Sequence, residues 1–226
     1  VTVADPLAVV LASGGLDSCV CIAEAARTHE LALLHVNYGQ RTEARELRAF
    51  EAIADHYRAR ERRVATLAYL REIGGSSLVD PSRPLEERWP PGDGSVPSTY
   101  VPFRNAHLLC LAVSWAEVLG ATAVFAGAVE EDSSGYPDCT ERFFAAFQAA
   151  VEAGTRPDTA ITLQTPLIAL NKAAIVRRGL ELGAPLELTW SCYAREDRAC
   201  GRCESCRLRL RGFAAAGVRD PIPYAE

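Results

Sequence analysis

Two groups of residues in this chain have the types and spacing to do chemistry. The first is Ser13-Gly14-Gly15-Leu16-Asp17-Ser18. Glycines let backbone N–H groups close on a ligand, the serines add hydroxyl donors, and a helix expected from residue 19 adds a partial positive charge. Such a turn is a nest for a phosphate group. It has neither the lysine of a Walker A loop nor GxGxxG spacing, so those two loops are excluded. The second group is Cys192, Cys200, Cys203 and Cys206. Thiolates two residues apart can wrap one ion, and a fourth from upstream completes a tetrahedron. Zinc suits four sulfur ligands, and an iron–sulfur cluster is the chemical rival. With every position filled, the metal is expected to be structural.

The elements that must position these groups alternate. Apolar residues 7 to 12 read as a strand buried on both faces, and a helix follows the glycine turn. A second strand is expected over 31 to 36, a helix over 42 to 57 with Thr42 as N-cap, and a third strand over 63 to 67. Further on, the pattern predicts a helix over 107 to 119 and a strand over 123 to 127. A helix over 141 to 153, a short strand near 161 to 163, and a helix over 172 to 182 capped by Asn171 complete it. The alternation predicts an α/β fold, an open parallel sheet with helices on both faces. Its domain is expected to span 1–190, with a small zinc-binding segment over 191–226. Residues 74–98, rich in glycine and proline, interrupt the pattern and read as a lid-like insertion.

The chain has 226 residues, 49% of them apolar and 23% charged, as befits a globular protein with a sizeable core. No apolar run approaches the ~20 residues of a membrane span, and the start carries no signal pattern. A cytoplasmic location and no membrane partner are therefore expected. The net charge of −5 argues against a stable nucleic-acid partner. Six arginines fall between Arg195 and Arg211. They are read as offsetting the negative charge of a four-thiolate centre rather than as a nucleic-acid or partner patch. Lys172 is the only lysine in the chain.

The turn at 13–18 resembles the PP-loop of the ATP pyrophosphatase superfamily, which cleaves ATP between its α and β phosphates. Taken in order, the motifs resemble the 7-cyano-7-deazaguanine synthase (QueC) family nearly end to end. They are SGGLDS at 13–18, Asn37-Tyr38-Gly39-Gln40-Arg41, Val101-Pro102-Phe103-Arg104-Asn105, Ser134-Gly135-Tyr136-Pro137-Asp138-Cys139, Thr165-Pro166-Leu167 with Lys172, and the cysteine cluster. Phe103 departs from the family, where many relatives have glycine. The resemblance implies an adenine nucleotide alpha hydrolase-like fold and conversion of 7-carboxy-7-deazaguanine, ammonia and ATP to the nitrile by way of an acyl adenylate and an amide. It also implies a homodimer. The chain length leaves no room for a glutaminase domain, so free ammonia is expected as the nitrogen source. An adenylating enzyme that modifies tRNA is the alternative, as is a related enzyme acting on another deazaguanine conjugate.

Roles then follow by residue type. Ser13, Gly14, Gly15, Leu16, Asp17 and Ser18 are expected to hold the nucleotide, with Mg2+ bridging phosphate oxygens and Asp17 holding that ion or the loop. Lys172, Arg41 and Arg104 are expected to offset phosphate charge. A carboxylate can accept both N–H groups of a guanine-like edge, and Asp138 is the first choice, with Glu130 and Asp132 as alternatives. Tyr136 or Phe103 is expected to stack on the base. Cys139 reads as a small buried cysteine rather than a nucleophile. The competing reading of Asp138 is a turn residue that caps the next helix.

Overall fold

A computed structural model describes residues 5–85, 96–130 and 135–225. Five parallel strands form one sheet: β1 (Leu7–Leu11), β2 (Glu30–Asn37), β3 (Glu61–Thr66), β4 (Ala123–Phe125) and β5 (Thr162–Gln164), in the order β3-β2-β1-β4-β5. The register pairs Val9 with Ala32 on one side of β1 and with Val124 on the other. Because β4 returns to the far side of β1, the strand order reverses there. The crevice beyond the carboxyl ends of β1 and β4 is where such sheets take ligands.

Helices cover both faces. They are α1 (Leu16–Ala25), α2 (Glu43–His56), the short α3 (Tyr69–Ile73), α4 (Arg104–Leu119), α5 (Glu141–Gly154), α6 (Lys172–Glu181) and α7 (Glu204–Ala215). Successive strand residues point to opposite faces, which sorts the core into two layers. Ala8, Val10, Leu31 and Leu33 pack with Ile22, Phe50, Ile175 and Phe213 from α1, α2, α6 and α7. Leu7, Val9, Ala32 and Leu34 pack with Leu109, Val113, Phe144 and Val151 from α4 and α5. Among the described residues no helix is long and apolar enough to cross a membrane.

Several local expectations change. Helix α1 begins at Leu16, three residues earlier than the pattern indicated, so it opens directly on the glycine turn. Thr42 precedes α2 but makes no capping bond; its hydroxyl donates to the Glu46 carboxylate instead. Asn171 does cap α6, accepting from the Ala174 N–H at 2.9 Å. Phe103 stands at the start of α4 with φ +57°, in the left-handed region where glycine is favoured, and it is 57% exposed. A side chain there costs roughly 1–2 kcal/mol, the physical reason that glycine is the residue this backbone conformation favours. Residues 86–95 of the expected lid lie outside the described residues. Of its remainder, Leu78 and Val79 are buried against Leu70 and Val101.

Candidate active site

The glycine turn sits at the mouth of a cavity of about 300 Å³ at the carboxyl ends of β1, β2 and β4. Gly14 has φ +84°, and a Cβ built there would lie 2.5 Å from the Glu46 carbonyl oxygen of α2. No other residue fits that position without displacing the turn or the helix. Gly127, just past β4, is pressed in the same way: its Cβ would come 2.9 Å from the Asp17 carbonyl. Ser13 Oγ and Ser18 Oγ are 3.1 Å apart, and Ser13 Oγ accepts from the Gly15 N–H at 3.2 Å. Gly15 is the N-cap of α1, and no side chain caps that helix. Its first-turn N–H groups therefore face the cavity as unclaimed donors at the positive end of a helix.

Asp17 and Lys172, 155 residues apart in sequence, meet here. Lys172 Nζ donates to Asp17 Oδ1 at 2.8 Å and to Oδ2 at 2.9 Å. The Asn171 cap places Lys172 at the first turn of α6 and so fixes this pairing. Both residues line a smaller cavity of about 100 Å³ that shares Leu16, Asp17, Tyr136, Ser191, Tyr193 and Ser205 with the larger one. Glu204 and Arg209 of α7 line the smaller cavity too.

Arg104 lines the larger cavity from the start of α4. Its Nη1 donates to the Tyr38 hydroxyl at 3.0 Å, its guanidinium lies 5.4 Å from the Tyr38 ring centre, and its Nε is buried with no hydrogen-bond partner among the described residues. Arg41 is elsewhere. Its Nε donates to the Ser77 carbonyl at 2.7 Å and its Nη2 to the Asp80 carbonyl at 3.1 Å and to that of Arg83. It clamps the 77–83 backbone and does not line either cavity, so the geometry gives it no position to meet a phosphate.

The residues expected to read a base are also redistributed. Asp138 is 4% exposed, and its Oδ2 accepts from the Asn105 N–H at 2.9 Å. It caps α4, not the helix that follows it; α5 is capped by Thr140, whose Oγ1 accepts from the Phe143 N–H at 3.1 Å. Glu130 lies at the same helix end, accepting from the Glu141 N–H at 3.0 Å. Neither carboxylate lines a cavity, because each answers the unpaired N–H groups of a helix start. Asp132 lies outside the described residues. Tyr136 lines both cavities, whereas Phe103 lines neither. Cys139 is buried and lines the larger cavity, with its Sγ 3.1 Å from Asn105 Nδ2.

Three lining residues are given no role by the motif reading, although one of them, Tyr193, lies within the cysteine motif. His35 of β2 is buried, its Nδ1 2.8 Å from the Ala12 carbonyl and its ring 5.0 Å from that of Phe50; burial pushes its pKa below the ordinary value. Tyr193 comes from the cysteine segment. Glu46 comes from α2, where Thr42 Oγ1 donates to its Oε1 at 2.8 Å and Gln40 Nε2 to its Oε2 at 3.1 Å. Burial raises the Glu46 pKa above the usual carboxylate range, against the pull of those two bonds. Its place four residues after Thr42 on a predicted helix was the available signal.

The four cysteines converge, their Sγ atoms all within 4.8 Å of one another. Tetrahedral thiolates at ~2.3 Å from one ion stand about 3.8 Å apart, so the set is compact enough for a single metal. Backbone N–H groups already point at the sulfurs: Cys200 N and Ala194 N at Cys192 Sγ, 3.3 and 3.4 Å, and Cys203 N at Cys200 Sγ, 3.2 Å. Such bonds stabilise coordinating thiolates. The neighbouring arginines have local duties. Arg209 is 2% exposed and pairs through Nε and Nη2 with Asp220 at 2.7 and 2.9 Å, while Arg195 pairs with Asp197 at 2.7 Å. Charge compensation of the thiolates is thus not what places Arg209. Cys19 and Cys21 belong to the core, and burial pushes the Cys19 thiol up to about 12.

A family model described as "Queuosine biosynthesis protein QueC" matches residues 7–217. The chain is 58% identical over 220 residues to a 7-cyano-7-deazaguanine synthase of Chlorobium phaeobacteroides, covering 97% of each chain. It is 54% identical over 224 residues to that of Acidobacterium capsulatum, covering 97% of this chain and 96% of the other. Among solved structures, the U34-tRNA thiolase NcsA from Methanococcus maripaludis superposes with a TM-score of 0.49 at 11% identity, over 95% of this chain and 71% of the other.

Proposed function

The chain belongs to the QueC family of queuosine biosynthesis, and from that premise we propose that it converts 7-carboxy-7-deazaguanine, ammonia and ATP to 7-cyano-7-deazaguanine. A carboxylate oxygen leaves poorly, so the acid must first become an acyl adenylate. Attack by ammonia expels AMP and gives the amide. Adenylation of the amide oxygen then allows elimination to the nitrile, so each product uses two ATP. One adenylation site serves both steps.

The observation that carries this reading is the uncapped start of α1 behind a glycine turn, opening on the larger cavity. Donors held in place there stabilise pyrophosphate as it leaves, without reorganisation at the moment of reaction. Ser13, Gly15, Leu16 and Ser18 supply backbone and hydroxyl groups for that purpose. Asp17, a carboxylate beside the nest, suits Mg2+, which is commonly held by one or two carboxylates and the phosphates of a substrate. Lys172 holds the Asp17 carboxylate in one orientation. Arg104 lines the larger cavity and brings the positive charge of its guanidinium to an anionic ligand there. The four sulfurs suit a structural Zn2+ that would fix residues 190–206 as a wall of the site.

The decisive test supplies purified protein with the acid, ammonia and ATP. AMP, pyrophosphate and a product with the mass of the nitrile are expected. ADP, or no cleavage of the nucleotide, overturns the proposal.

A further inference from the structure

A guanine-like base presents two adjacent donors, the ring N1–H and the exocyclic amine, and a carboxylate with one free lone pair on each oxygen accepts both. Two carboxylates line the larger cavity among the described residues, those of Asp17 and Glu46. Both oxygens of Asp17 already face the Lys172 ammonium. Glu46 is held differently. Each of its oxygens takes one neutral donor, Thr42 Oγ1 on Oε1 and Gln40 Nε2 on Oε2, and it makes no ion pair among the described residues. Thr42 and Gln40 are themselves buried, which fixes the plane of the carboxylate. Each oxygen keeps a second lone pair for a ligand, and Arg104 on the same cavity is the cation whose charge acts on this carboxylate. The carbonyl of the same residue abuts Gly14, so this group and the phosphate nest are rigidly spaced.

We propose that Glu46 is the specificity-determining residue that reads the N1–H and 2-amino edge of the deazaguanine. The inference rests on the function proposed above and names the group that selects its substrate. The carboxyl at position 7 lies across the bicyclic ring from that edge, so holding one end leaves the other open to the nucleotide. The adenine of ATP does not suit the same acceptor pair, because it sets its N6 amine beside an N1 lone pair that would face a carboxylate oxygen. The chemical rival is the ribose of ATP, whose two hydroxyls can also bridge a carboxylate.

The test compares wild type with Glu46→Gln, measuring KM for the acid and for ATP separately. An analogue of the acid lacking the 2-amino group serves as the second probe. Loss of a charged hydrogen-bonding pair is expected to raise the acid KM roughly 10–100-fold, with the ATP KM nearly unchanged. Wild type should prefer the acid over the analogue, and the variant should lose most of that preference. A rise in the ATP KM alone would assign Glu46 to the ribose, and an equal rise in both would leave it selective for neither ligand; either result overturns the proposal. So would equal binding of the acid and the analogue by wild type, a measurement that needs no variant to fold. Should wild type release no AMP from the acid, the function itself fails. If it does and the variant keeps both its acid KM and its preference, only the role of Glu46 falls.

Discussion

The segments that follow β1 and β4 occupy adjacent positions on the ligand face of one sheet, and both are polar, yet they use their polar groups in opposite ways. After β1, the chain turns on Gly14 and enters α1 with no side chain at its cap, leaving backbone donors for a ligand. After β4, the carboxylates of Glu130 and Asp138, among the described residues, are taken by the protein itself. Glu130 answers the start of α5, and Asp138 that of α4. The contrast teaches that an acidic residue on the ligand face is available to a substrate only if no helix end claims it. Glycine at the turn keeps donors open, while aspartate at the end of a buried helix is consumed.

The largest effect that bears on this contrast lies outside both segments, in the four-cysteine cluster, whose segment contributes Trp190, Ser191, Tyr193 and Ser205 to the wall of the cavity. Cys203→Ser is expected to lose the metal and the folding of residues 190–206 together, because the binding energy of a structural metal is folding energy. Metal content and proteolytic resistance report it; a metal-free variant that stays folded and active removes the cluster from the account. Next, Asp17→Asn should cut pyrophosphate release roughly 10²–10³-fold while the melting temperature moves little. Wild-type turnover would make the two segments alike after all.

Asp138→Ala should do the reverse. It removes a cap and strands the buried Asn105 N–H, so stability falls by about 2 kcal/mol with the acid KM unchanged. A tenfold rise in that KM at unchanged stability would return Asp138 to the substrate and break the comparison. Phe103→Gly should raise stability by about 1 kcal/mol by releasing a left-handed side chain at the end of the same helix; thermal melting checks it. Smallest is Glu130→Ala, whose carboxylate is exposed: a loss of about 0.5 kcal/mol, again without effect on the acid KM.

The parallel sheet, most of its helices and the turn at 13–18 were legible because their signals are local. Apolar runs and helical periods span a few residues, and a turn that works through backbone N–H groups carries its own donors. Helix α7 was hidden for a physical reason. Its buried positions are Cys206, Arg209, Gly212 and Phe213, a helical period broken in the sequence by an arginine and a glycine and opened by a cysteine already read as a metal ligand. Arg41 shows the opposite error: a motif arginine whose guanidinium turned out to bind the carbonyls of Ser77 and Asp80.

The order of residues by itself determined where the glycine turn at the start of α1 lies, that four thiols can share one metal, and that the scaffold is a parallel sheet. Only the tertiary structure decided which charged groups face the cavity. A carboxylate takes its role from whichever donors come within hydrogen-bond reach. For Asp138 that donor lies 33 residues away, for Glu130 11 residues and for Asp17 155 residues. Glu46, whose hydrogen-bond partners Gln40 and Thr42 are near in sequence, keeps its place on the cavity with no ion pair among the described residues, and only the fold brings the charge of Arg104 to bear on it.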